Sequence, residues 1–414
     1  MRISTLFCTF LLAVVATFAQ RNHVLRNDIH TLRTKIDGNL ASLPVLMLGG
    51  KDKMRVGFDR MSHEYRRFFY RVEHCGFDWE KTPDLFENEY LESNLTDILI
   101  EEHRESRNTN VQYTHYAFSF PDKDVRPLVS GNYRITIYDD TAEHPEAVAV
   151  VHCCVAEPLV NIGGRVETDT DIDRNGEHQQ LSLRIDASAL NARDLREELK
   201  TVVYQNERWD NAVWNAPPTH VNAGVLLWQH QPRLIFKAGN EYRRFELVNM
   251  RMPGMRVESL RWFPPYHHAT LLTDEIRRNY LLIEDRNGTS VIRNTDNLDN
   301  ETESEYLFVH FSVETEPFEQ ADVYIDGRWC DTFRQPEHRM AYNHERGCYE
   351  GVLFLKQGYY NYRYLVRTKG KEQSETAPIE GDFHNTENLY AVMAYFRSPT
   401  DRYDRLVGIA NIKS

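Results

Sequence analysis

The chain has 414 residues, with 49 Lys and Arg against 62 Asp and Glu, a formal net charge of −13 at pH 7. That acidic balance argues against nucleic-acid binding and against attraction of the chain as a whole to anionic membranes. Aromatic residues make up 12% of it, and its 20 Gly and 16 Pro are spread along its length, which predicts all-β modules rather than long helices.

The N-terminus sets an expected compartment. Arg2 precedes an apolar run over 6–18, and the small residues Thr17 and Ala19 flank Phe18. This is the pattern of a signal peptide over 1–19, cut after Ala19. The run is shorter than the roughly 20 apolar residues that span a bilayer. The longest later candidate, 148–155, is strand-sized and interrupted by His152. The expectation is an exported, monomeric chain with no direct membrane insertion.

Residues 20–156 read as a first β-sandwich. RRFFYRV (66–72), YTHYAFSF (113–120), NYRITIY (132–138) and 148–155 are short, aromatic or β-branched, and bounded by turn residues. A short helix is expected at 97–104. His63-Glu64 opens like a zinc-protease HExxH, but Arg67 stands where the second ligand belongs. Cys153 and Cys154 adjoin on one strand and face opposite sides, so only one of them can reach Cys75. Glu157-Pro158 marks the boundary, because a residue before proline is driven to extended geometry.

Residues 157–304 read as a second sandwich, with strands at 180–185, 200–205, 225–229, 243–248 and 259–263 and a short helix at 192–199. Asp171, Asp173, Asn175 and Gly176 match the opening of a calcium loop. Its twelfth position is Ser182 rather than the required Glu. Asx-rich turns carry the same residues for their local hydrogen bonds, and a turn is the preferred reading. The polar, acidic stretch 284–304 reads as a linker closing this block.

Residues 305–414 read as a third sandwich, from YLFVHFSV at Tyr306 to LYAVMAYF at 389–396. Within it, 349–366 alternates strictly around Gly358 and predicts a β-hairpin. Tyr360, Tyr362 and Tyr364 form the expected core face. Tyr359, Asn361 and Arg363 form the opposite face, expected to be open to a partner. Cys330 and Cys348 flank an expected hairpin earlier in this block and are a candidate disulfide. The five cysteines beyond residue 19 leave one thiol unpaired.

No GxSxG elbow, phosphate-binding loop or CxxC is present. Carboxylates abound, but nothing locates a glycosidase pair. The tryptophans, Trp262 among them, read chiefly as packing residues. The expectation is a non-enzymatic protein with no cofactor.

Several stretches together carry a resemblance: SHEYRRFFYRVEHCGFDW (62–79), the segment 113–140, TDIDRNGEHQQ (170–180), VVYQNERWDNAV (202–213), FKAGNEYRRFELV (236–248), YHHATLLTDEIRRNY (266–280), DVYIDGRW (322–329), TAPIEGDFHNTENLY (376–390) and YFRSPTDRYDRLVG (395–408). In this order the chain resembles the plug protein family of the bacterial type IX secretion system. The resemblance implies a non-catalytic periplasmic protein whose partner is the outer-membrane translocon barrel of that system, which it occludes from the periplasmic side. A second resemblance covers 306–396. It is to early-set immunoglobulin-like modules of the glycogen-binding type, and implies tandem immunoglobulin-like β-sandwich domains. It makes a periplasmic glycan-binding protein the alternative function, with Trp329 and Tyr359 as sugar-facing aromatics beside Asn361 and Arg363.

Overall fold

The computed structural model describes residues 22–40, 43–141, 144–330 and 336–414; the signal-peptide expectation at 1–19 lies outside them. The fold is all-β. Its α-helices among the described residues are four-residue turns at Glu87–Tyr90, Leu195–Glu198 and Ala377–Glu380.

In the first sandwich, Gly131–Asp139 lies between Phe68–Cys75 and Glu146–Ala156. Its alternation places Tyr133, Ile135 and Ile137 at 0% exposure, with Arg134, Thr136 and Tyr138 half-buried on the other face. The facing sheet contains Ile29–Ile36, Met54–Arg60, Thr114–Phe120 and Glu102–Glu105. Val56, Phe58, Tyr70 and Tyr116 from both sheets fill the space between them. The helix expected at 97–104 is instead the edge strands Ile98–Leu99 and Glu102–Glu105.

The second sandwich is not contiguous in sequence. One sheet contains Asn161–Glu167, His178–Asp186, Val225–Trp228 and His220–Asn222. The other contains Val213–Trp214 and Leu199–Gln205, then Leu389–Phe396 and Arg405–Lys413 from the far end of the chain. Leu199–Gln205 pairs antiparallel with Leu389–Phe396 along its whole length, from Leu199 opposite Phe396 to Gln205 opposite Tyr390. The helix expected at 192–199 is present as Leu195–Glu198, where the Asp194 side chain accepts from the Arg196 N–H at its N-terminus.

The third sandwich is therefore drawn from about 243 to 380, which corrects the boundaries at 304 and 305. One sheet holds Val257–Phe263, Tyr266–Leu271, Tyr306–Glu314, Cys348–Lys356 and Ala341–Asn343. In the other, Gly358–Thr368 pairs with Arg243–Leu247, Ser290–Ile292 and Ala321–Asp326.

The strand pair of 349–366 is not a hairpin. Cys348–Lys356 and Gly358–Thr368 belong to opposite sheets, with Gln357 alone between them. The chain crosses the core here as an arch. Gly358 is needed because a Cβ would sit 2.4 Å from the Val291 carbonyl oxygen. Alternation correctly predicted the tyrosine face, since Tyr360, Tyr362 and Tyr364 are 3%, 0% and 0% exposed. It could not tell a return in the same sheet from a crossing to the facing one, because both keep the same period.

Candidate functional site

The face of Gly358–Thr368 expected to meet a partner is buried. Asn361 is 0% exposed and Arg363 4%. The Asn361 amide donates to the Tyr359 hydroxyl at 3.0 Å and its oxygen accepts from the Arg286 N–H at 2.9 Å. Arg363 donates to Asp326 at 3.0 Å and lies over the Tyr242 ring. Half-buried Trp329 donates its indole N–H to the Asn361 carbonyl at 2.6 Å and packs edge-on against Tyr360. As the central strand of its sheet, Gly358–Thr368 is covered on both faces, so its polar residues must be paired internally. Trp329, Tyr359, Asn361 and Arg363 thus form a structural network, and no open aromatic platform for a sugar remains there.

The candidate disulfide is also corrected. Cys330 and Cys348 are both buried, and no disulfide joins them. Cys75, Cys153 and Cys154 are free thiols. Asn132 pairs with Cys75 on one side and Cys154 on the other, so those two cysteines are two strands apart. That is about 10 Å, beyond disulfide reach. The Cys154 thiol contacts the Asn132 side-chain oxygen at 3.3 Å, and burial pushes the Cys75 thiol up to about 12.

In the calcium-loop candidate the side chains diverge. Asp171 accepts from Gln180 and His230, each at 2.7 Å. Asp173 accepts from His178 at 2.7 Å and from the Glu177 N–H at 2.9 Å. Asn175 accepts from Thr168 at 2.7 Å and has φ of 49°, as the Asx-turn reading requires. Among the described residues no group of three or more His, Cys, Asp or Glu converges on one point.

What the fold does assemble is a charge network between the first and third sandwiches. Asp59, on Met54–Arg60, and Lys356, at the arch, are 0% exposed and 2.6 Å apart. His115, opposite Asp59 in register, donates to its other oxygen at 2.6 Å. The Tyr306 hydroxyl donates to Asp59 at 2.6 Å, and the Lys356 ammonium lies 4.1 Å from the Tyr113 ring centroid. Burial alone would push Asp59 up. The Lys356 charge and the His115 hydrogen bond outweigh it and hold the carboxyl at about 2.

The stretch 284–304 is part of this junction rather than a linker. It contains the strand Ser290–Ile292. Glu301 pairs with Arg33 at 2.5 Å and Lys35 at 2.7 Å, and Asp299 pairs with Arg104. The Tyr113 hydroxyl donates to the Ser304 carbonyl at 2.8 Å. The other junctions are polar too. Tyr395 donates to Asn132 at 2.8 Å between the second and first sandwiches. Gln179 donates to the carbonyls of His384 and Thr386, each at 2.8 Å. Sequence reading missed Asp59, Lys356 and Glu301. No local signal marked them: in RVGFDR, Asp59 shares its strand face with the half-buried Arg55 and Gly57, where a charged residue is ordinarily solvated.

The network has a defined acid response. Asp59 titrates at about 2 when folded against an ordinary 3.8, so its contribution is complete above about pH 4 and is lost as pH falls toward 2. Near-UV circular dichroism is expected to show tertiary loss over that window, and Asp59→Asn to flatten its slope. Equal slopes in the two proteins would contradict the assignment.

The third sandwich also carries an open aromatic face. On the hairpin of Val257–Phe263 and Tyr266–Leu271, residues 261–266 (RWFPPY) are all exposed. Trp262, Phe263 and Tyr266 are 45%, 53% and 36% exposed. Tyr266 touches Phe308 and Phe354 at ring separations of 5.2 and 5.7 Å.

The sequence profile described as "Type 9 secretion system plug protein 1st domain" matches residues 29–156. A crystal structure of a hypothetical protein from Parabacteroides merdae is similar over 95% of this chain and 99% of its own, with 35% identity and a TM-score of 0.91. The C-terminal domain of the Streptococcus agalactiae antigen I/II polypeptide BspA is 7% identical over 92% of this chain and 97% of its own, with a TM-score of 0.16. That of the Streptococcus pyogenes antigen I/II-family protein AspA is 6% identical over 93% and 99%, with a TM-score of 0.17. Scores that low carry no argument about fold or function. No curated protein matches the chain.

Proposed function

We propose that this chain, a member of the type 9 secretion system plug protein family by its first domain, covers the periplasmic mouth of the system's outer-membrane translocon barrel. It acts without catalysis, as an exported periplasmic body that docks and leaves. The observation that carries this reading is the joining of three sandwiches by buried ion pairs and hydrogen bonds, Asp59–Lys356 above all. A body so joined can close an opening by its shape. Among the described residues no helix is long and apolar enough to cross a membrane, as suits a peripheral part. A removable cover calls for an interface of roughly 1,200–2,000 Å².

The test is affinity recovery from detergent-solubilised outer membranes, using the tagged full chain as bait. The translocon barrel is expected in the eluate at physiological salt. Its absence there and at low salt would overturn the proposal. The glycan-binding alternative has lost its surface, since Trp329 and Tyr359 are committed to Asn361.

A further inference from the structure

The exposed hairpin tip has a feature that a flat protein contact does not require. Phe263 pairs with Tyr266, and Trp262 pairs with His267. Successive strand residues point to opposite faces, so Trp262 lies on one side of the tip and Phe263 and Tyr266 on the other. Trp262 stacks at a tilt on His267, with ring centroids 4.5 Å apart. Phe263 meets His268 edge-on at 5.3 Å, and His268 continues the row to Phe308 at 5.2 Å. The rings therefore surround the tip and run on along the outer face of its sheet. A docking patch for a folded partner needs rings on one face. Rings on both faces suit a medium that envelops the tip.

Charge points the same way. From Ser259 to Leu272 the sequence SLRWFPPYHHATLL contains Arg261 and two histidines and no carboxylate, within a chain of 62 acidic residues. Arg261 is exposed beside Trp262. At physiological ionic strength charges interact over about 8 Å. A bilayer meeting the tip therefore senses this carboxylate-free segment before the net charge of the whole chain. Trp and Tyr, with an apolar body and a polar N–H or O–H, are the side chains that favour the boundary between headgroups and acyl chains. An arginine beside them is placed to meet a lipid phosphate.

We propose that the tip formed by Arg261, Trp262, Phe263, Pro264, Pro265 and Tyr266 is a membrane-contact element that seats the protein on a phospholipid bilayer surface. The contact is interfacial and needs no spanning segment. It holds the body beside the membrane whether or not a protein partner is present, so it does not depend on the plug reading.

The experiment is flotation of the full chain with vesicles of phosphatidylethanolamine and phosphatidylglycerol, with no translocon present. The chain is expected to float, and its tryptophan emission to shift to the blue. Trp262→Ser with Phe263→Ser is expected to lower partitioning by about tenfold or more and to reduce the blue shift. Both positions are solvent-facing, so the variant should keep the parent's unfolding midpoint. Tyr266→Ser gives a milder second variant should the double substitution misfold. Failure of the unaltered chain to float at low salt would overturn the proposal, as would flotation that the folded variants leave unchanged. If the chain binds no vesicles, yet the variants lose recovery of the translocon barrel, the tip is a protein contact and the lipid assignment is wrong.

Discussion

Deleting residues 389–414 is expected to unfold the second sandwich, whose other strands end at Lys237, while the third sandwich keeps its fold. Leu389–Phe396 lies between Leu199–Gln205 and Arg405–Lys413 in one sheet of the second sandwich. With it go Tyr390, Val392, Ala394, Phe396, Val407 and Ile412 from one core cluster. Met393, Tyr395 and Leu406 go from the cluster that joins the first sandwich. Burying a large apolar side chain contributes about 1.5–3 kcal/mol, so their sum exceeds the roughly 5–15 kcal/mol that stabilises a whole domain. The third sandwich closes its own core between Phe245 and Ile379. Hydrogen exchange by mass spectrometry checks this directly. Amides in Asn161–Glu167 and His178–Asp186 should lose protection in the truncated chain, while those in Tyr306–Glu314 retain it. Protection of His178–Asp186 in the truncated protein would show that 157–304 folds as the contiguous unit read from sequence.

Lys356→Met should be the most damaging single substitution at the junction of the first and third sandwiches. The ammonium is fully buried, 2.6 Å from Asp59, and also donates to the Glu301 carbonyl. Methionine matches its length but leaves the Asp59 carboxylate without its cation in a dry site. Removing one partner of a buried pair costs about 3–5 kcal/mol, because the other charge stays desolvated. The Asp59 carboxyl should then titrate well above its present value of about 2. Denaturant unfolding of Lys356→Met, Asp59→Asn and the double variant forms a thermodynamic cycle. A coupling of up to about 3 kcal/mol is expected, with the double variant more stable than Lys356→Met alone. Additive effects would mean that the two side chains do not act as a pair.

Both results turn on features that were only half legible in the sequence. The strands were readable because alternation is local. NYRITIY announces which side chains of Gly131–Asp139 share a face, and burial agrees. The tyrosine face of Gly358–Thr368 was readable for the same reason. Its opposite face was misread because Asn361 and Arg363 are polar, and polarity in a strand usually means water. Here they meet Arg286, Asp326 and Tyr242, which are distant in the chain. The acidic stretch around Glu301 was misread likewise. Its composition suits a linker, and the cations that order it, Arg33 and Lys35, lie more than 260 residues earlier.

The candidate site divides along the same line. The aromatic run at 262–266 stood in plain view, yet an aromatic strand is ordinarily core. Only the third sandwich's sheet, with this hairpin at its edge, leaves Trp262 and Phe263 in solvent. Sequence alone determined the all-β class, the strand faces and the family, because side-chain period and motif order are written in neighbouring residues. Tertiary structure decided which sheet each strand joined, which block owned the last two strands, and which polar residues were sealed. Those outcomes depend on what fills the space across the core, and in the second sandwich the residues that fill it come from as far apart as Val160 and Ile412.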